Sequence, residues 1–146
     1  MIPQFLRNDL KSFKEYMALW HFRVFKSNQT VLDFFLKNTE LREEDGPIAD
    51  NPLLAKHAEG VMKLLDLIIF SIDDSKKVDN LIKKYSKFHH RFEGFRANFF
   101  LIFEEPFLKA TRITLEDRYS EDIGRIYATV IRFILISLRD NFLLTS

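Results

Sequence analysis

The chain has no cysteine, so disulfide scaffolds, thiol nucleophiles and thiolate metal sites are excluded. It is also poor in chain breakers, with 4 Gly and 4 Pro in 146 residues. That scarcity excludes a glycine-rich phosphate loop, and no serine sits in a nucleophile setting. No acidic or basic excess exists either. Lys and Arg number 22 against 21 Asp and Glu, giving a net charge of +1, which leaves no broad electrostatic footprint for nucleic acid. The most apolar stretch, Ile126 to Leu138, is interrupted by Arg132 and is shorter than the ~20 residues a bilayer span needs. Met1 to Asp9 carries charge early and has no apolar signal core. The expectation is a cytoplasmic chain, in keeping with its lack of cysteine.

What the chain does have is apolar and aromatic mass. Hydrophobic residues make up 47%, and 16 residues are Phe, enough for a hydrophobic core. The length predicts one domain over residues 1–146. Its pattern is helical throughout. Leu6, Leu10, Phe13, Met17, Trp20 and Val24 form one stripe. Gln29 to Asn38 predicts a second helix carrying Val31, Phe34 and Phe35. Asn51-Pro52 has the form of a helix start, opening a segment to about Ile72 with Leu53, His57, Val61, Leu64 and Ile68 on one face. After Asp73-Asp74-Ser75 comes a helix through Val78, Ile82, Tyr85 and His89. Beyond Gly94 another helix is expected, with Phe95, Phe99, Ile102 and Phe103 inward and a kink at Pro106. Thr114-Leu115-Glu116-Asp117 predicts a capping box that opens the last helix. No strand-like alternation competes, so the fold class is all-α.

Catalytic constellations are missing from this pattern, and the expectation is a protein that is not an enzyme. Adjacent pairs such as His89-His90, Asp73-Asp74 and Glu104-Glu105 diverge by about 100° on a helix, which disfavours shared metal ligation. His57 and His89 differ from these pairs. Each lies on the inward stripe of its own helix, and the two rings can flank an apolar pocket.

These two histidines carry a resemblance to the globins. Asn51 to Met62, with His57 and Val61 four residues on, resembles the globin helix of the distal histidine. Ile82, Tyr85, Ser86 and His89, followed by Phe92, resemble the helix of the proximal histidine. Leu36 to Leu41 resembles the short corner helix with Thr39 in place of its Pro, and Trp20 matches the Trp that often ends the first helix. Phe99 to Lys109 and Tyr119 to Leu138 resemble the two closing helices. The resemblance implies a three-over-three helical sandwich.

Where globins place a Phe against the porphyrin, this chain reads Arg42-Glu43-Glu44-Asp45-Gly46-Pro47. That departure makes the chain most similar to the haemless, fatty-acid-binding globin sensor domains of Bacillus sporulation-inhibitory proteins. The similarity implies a fatty acid in an apolar tunnel and no cofactor, with a chloride ion as a possible neighbour. The site would comprise His57, Val61, Leu64, His89, Phe99 and Phe103, with Arg91 or Arg96 receiving the carboxylate as a bidentate partner. Acyl burial would supply ~0.8 kcal/mol per CH₂. Such a protein would titrate a signal from a sensor histidine kinase. The alternative is a haem globin for oxygen binding or redox sensing, with His89 proximal and His57 distal. The last helix is apolar on more than one face, through Ile126, Val130, Phe133, Ile134, Ile136 and Leu138. A homodimer through the last two helices is therefore expected.

Overall fold

Three helix starts among the described residues are set by short polar side chains that satisfy free N–H groups of the first turn. In the computed structural model, which describes residues 28–39, 60, 61, 63–65 and 67–145 (apart from the side chains of 38, 39 and 114), helix α1 spans Gln29–Thr39. Asn28 caps it, its Oδ1 accepting from the Val31 N–H at 3.3 Å. The α2 segment covers the helical residues described between 60 and 70 and ends in a turn at 71–73. Helix α3, Ser75–Phe88, begins where Asp74 accepts from the Lys77 N–H at 3.1 Å. The helix break expected at Asp73-Asp74-Ser75 is thus the cap of the next helix.

Two short 3₁₀ segments follow, His89–Arg91 and Ala97–Phe103. Between them Gly94 adopts φ 88°, a left-handed conformation that a side chain would strain. Helix α4 is Glu104–Leu115, a 3₁₀ turn covers Glu116–Arg118, and helix α5 is Glu121–Leu144. Every regular element among the described residues is helical, so the chain is all-α.

Three sequence expectations are corrected here. The helix expected beyond Gly94 is a tight 3₁₀ segment, because Ala97 to Phe103 is almost wholly apolar and offers no polar side to an amphipathic helix. Pro106 does not kink a helix. It sits in the first turn of α4, where its missing N–H costs nothing. Thr114 does not open the last helix, since α4 continues through Leu115, which is fully buried. The real N-cap is Ser120, whose Oγ accepts from the Ile123 N–H at 3.2 Å. Gly124 lies in the first turn of α5 so close to the Tyr119 hydroxyl that a Cβ there would force the Tyr119 side chain to move.

The main core joins α2 to α5. It contains Leu65 and Ile68, Val78 and Ile82, Phe100, Phe107, Ala110 and Leu115, and the α5 stripe Tyr127, Ile131, Ile134, Leu135 and Leu138. Each buried Leu, Ile or Phe contributes about 1.5–3 kcal/mol over its exposed state. A smaller core packs Val31, Leu32 and Phe35 of α1 against Phe99, and Phe95 touches both cores. Polar anchors fix α3 and α4 on α5. The fully buried Ser86 Oγ donates to the Leu138 carbonyl at 3.0 Å, and Arg132 Nε donates to Glu104 at 2.9 Å. On α5, Ile126 and Phe133 stay exposed beside this core. Among the described residues no helix is long and apolar enough to cross a membrane.

Candidate functional site

The periodicity of α3 sends Val78, Ile82 and Ser86 into the core and delivers His89 at the point where the α-helix tightens into 3₁₀. The His89 ring is anchored to its own helix, with Nδ1 2.7 Å from the Tyr85 carbonyl oxygen. A carbonyl can only accept, so Nδ1 carries the proton. Nε2 keeps its lone pair and has no hydrogen-bond partner among the described residues.

Aromatic rings surround this imidazole. Phe95 lies 4.8 Å away between centroids, Phe100 4.9 Å, Phe88 5.5 Å and Phe92 6.3 Å. Phe34 of α1 packs on Phe92, Phe95 and Phe99, which brings that helix to the same cluster. Burial holds the His89 imidazole below its ordinary value of 6.5; the Tyr85 hydrogen bond opposes this, and the His90 charge adds to it. The ring is neutral at neutral pH, the state in which an imidazole nitrogen can ligate a metal.

The remaining predicted positions divide into two groups. Val61, Leu64 and Phe103 are half-buried and pack on the main core, whereas Phe99 is buried in the smaller core with α1. The two arginines do not join them. Arg91 is exposed, its guanidinium carbon 5.3 Å from the Phe88 ring centroid on the outer side of α3. Arg96 is exposed at the start of the 3₁₀ segment, where its backbone carbonyl accepts from the Phe99 N–H. His57 and the acidic stretch Arg42 to Pro47 lie outside the described residues. Among those described, no three His, Asp or Glu side chains converge as a metal site.

Sequence reasoning missed the support behind His89. His90 stacks on Phe142 of α5, with centroids 3.9 Å apart and rings within 4° of parallel. Its Nε2 lies 3.1 Å from the Phe142 carbonyl and 3.0 Å from Thr145 Oγ1. Phe142 in turn contacts Phe95 at 5.2 Å and Phe100 at 6.0 Å, the two rings nearest His89. The adjacency of two histidines was the available signal. One ring faces the aromatic cluster and the other clamps the end of α5.

The globin family profile matches residues 19–134, which include all of α1 and α3 and most of α5. The chain belongs to the globin family. A solved structure, that of a hexacoordinated haem protein from an anhydrobiotic tardigrade at pH 4, aligns with this globin at a TM-score of 0.75. The alignment covers 94% of this chain and 90% of the other, at 20% identity, so it speaks for the fold. A comparison with curated proteins finds no match.

These findings overturn the fatty-acid reading of the sequence. The chain is a globin, and neither the family match nor the similar solved structure, which is of a haem protein, brings anything for an acyl ligand, sporulation or a histidine-kinase pathway. The geometry gives a physical reason. The cations expected to hold a carboxylate stand on the surface, one of them over Phe88, and do not converge on the cluster around His89. The expectation of a chain without a cofactor goes with that reading.

Proposed function

We propose that this globin binds haem, with His89 as the proximal iron ligand. The observation that carries the reading is the tied imidazole, Nδ1–H on the Tyr85 carbonyl at 2.7 Å, with Nε2 open and an apolar ring wall around it. An iron-ligating histidine needs its second nitrogen held in this manner, because the hydrogen bond sets the tautomer and the ring orientation. The residues present therefore suit the group. Bound haem would supply an iron centre able to take a diatomic or an internal sixth ligand and to cycle between two redox states.

The chain's own part is separate from that chemistry. Tyr85 orients His89 and keeps the proton on Nδ1. Phe95 and Phe100 exclude water from the ring and favour its neutral form. The tardigrade haem protein supports the reading through its shared fold, and its hexacoordination makes His57 the proposed distal partner here.

The test is haemin titration of apoprotein. The expected outcome is a stoichiometric Soret band that His89→Ala abolishes and that added imidazole restores to the variant. His57→Ala should shift the ferrous spectrum toward a five-coordinate form. Wild-type apoprotein that develops no such band would overturn the proposal.

A further inference from the structure

The outer face of α3 is the opposite of its inner one. Directly across from the buried Val78, Ile82 and Ser86 stand Lys76, Lys77, Lys84, Lys87 and, one turn beyond the helix end, Arg91. All five are exposed, and none makes an ion pair among the described residues. The ion pair within α3 itself, Lys83 with Asp79 at 2.8 Å, lies to one side of this row. Of the nearby acids, Asp73 is exposed just ahead of the helix, and two others are engaged elsewhere. Asp74 caps its own helix, and Glu93 meets Lys37 of α1 at 3.6 Å. The whole chain has a net charge of +1, so a face with five cations leaves the rest of the molecule net negative. In an anionic field such a molecule turns this face forward.

Shape and composition select the occupant. The row follows one convex helix for about 20 Å at ~1.5 Å per residue, which presents its charges to a flat surface together. Two depressions along it, one from Asp74 to Lys84 and one from Lys84 to Arg91, are lined, among the described residues, by this segment alone. Among the described residues, no second element builds a wall for a partner chain there. Four of the five cations are Lys, which protein interfaces deplete, whereas lysine-rich rows suit the diffuse charge of anionic lipid. Phe88 is 43% exposed between Lys84 and Arg91, with Arg91 over its ring. An exposed aromatic beside basic residues suits the headgroup boundary. A second copy is disfavoured, since two such faces would repel.

We propose that the outer face of α3 binds the surface of an anionic phospholipid bilayer, reversibly and without crossing it. Each Lys or Arg near such a surface raises partitioning about fivefold, so five together raise it by ~10³ or more. The experiment is sedimentation of the full-length protein with vesicles of phosphatidylcholine alone or with about 30 mol % phosphatidylserine. Binding is expected on the anionic vesicles in about 0.1 M NaCl, with release near about 0.5 M and little on the neutral ones. Lys84→Glu with Lys87→Glu should cut binding more than about hundredfold. Lys109→Glu with Arg125→Glu changes the net charge equally but lies on α4 and α5, and should cut it less than about tenfold. All four side chains are exposed, and unchanged helical circular dichroism confirms folding of both variants. Three outcomes overturn the proposal: no binding to anionic vesicles at low salt, equal binding to neutral ones, or equal loss in both variants. The first would leave the face to an acidic protein.

Discussion

Two 3₁₀ turns close two helices of this globin with the same closing hydrogen bond, although His89 enters the first in right-handed helical backbone and Glu116 enters the second at φ 51°. His89–Arg91 follows α3 and Glu116–Arg118 follows α4. In each, the N–H of the residue after the turn donates to the carbonyl of its first residue, at 3.2 Å in both cases. Both then pass into extended backbone, at Phe92 and at Tyr119. The side chains separate them. His-His-Arg places basic groups at the negative end of α3, while Glu-Asp-Arg places two acids at the same end of α4. His89 meets four phenylalanine rings, whereas Glu116, Asp117 and Arg118 are all exposed. One pattern of turn hydrogen bonding therefore accompanies a candidate ligand site in one place and a plain connection in the other. The difference lies in what α5 and the 3₁₀ segment bring against it.

The largest expected effect comes from removing that surrounding. Phe100 is buried in the main core and touches both His89 and Phe142. Phe100→Ala should cost ~3–5 kcal/mol in chemical denaturation, as large-to-small core changes do. Asp117→Ala, in the exposed turn, should move stability by less than ~0.5 kcal/mol. A Phe100→Ala loss as small as that of Asp117→Ala would mean that the two turns do not differ in packing, and the comparison would fail.

A smaller effect should appear with pH. The folded His89 imidazole titrates below 6.5, its ordinary value, because burial penalises the charged form. The unfolded chain then binds a proton first as pH falls. His89 contributes stability that is complete above 6.5 and is lost progressively as pH drops toward the folded value. Melting of apoprotein across that range should show the decline, and His89→Gln should remove its share of it. An unchanged slope in His89→Gln would assign the acid sensitivity to other groups.

Much of this contrast could be read from the sequence on the α3 side. Val78, Ile82 and His89 fall on one helical stripe, so the inward position of His89 followed from spacing alone. Its anchor did not, because the Tyr85 acceptor is a backbone carbonyl that any residue would provide. Phe142 was also out of reach, since it meets His90 across 52 residues and lies beyond the last stripe position that periodicity marks. On the α4 side the pattern misled. Thr114 to Asp117 has the letters of a capping box, yet the burial of Leu115 carries α4 past it and leaves the cap to Ser120. Packing overrode a local signal there, as tertiary context commonly does.

The smallest expected effect concerns how each turn is entered and left. Gly94, after the first turn, has φ 88°, and Glu116, which opens the second, has φ 51° with ψ −118°. Both are left-handed in φ, but only the first uses the residue suited to it. Glu116 occupies backbone space that Gly takes readily at the first corner of a type II′ turn. Glu116→Gly should therefore gain up to ~1 kcal/mol by relieving strain, less the entropy that glycine adds to the unfolded chain. Gly94→Ala should lose ~1–2 kcal/mol. That loss would come from the backbone, because an added Cβ at Gly94 meets only Phe34 Cδ2 at an ordinary 3.8 Å. Urea midpoints moving in opposite directions at unchanged slope would show that strain is tolerated where the turn has no ring to position. Movement in the same direction would mean that both corners are held by contacts rather than by φ.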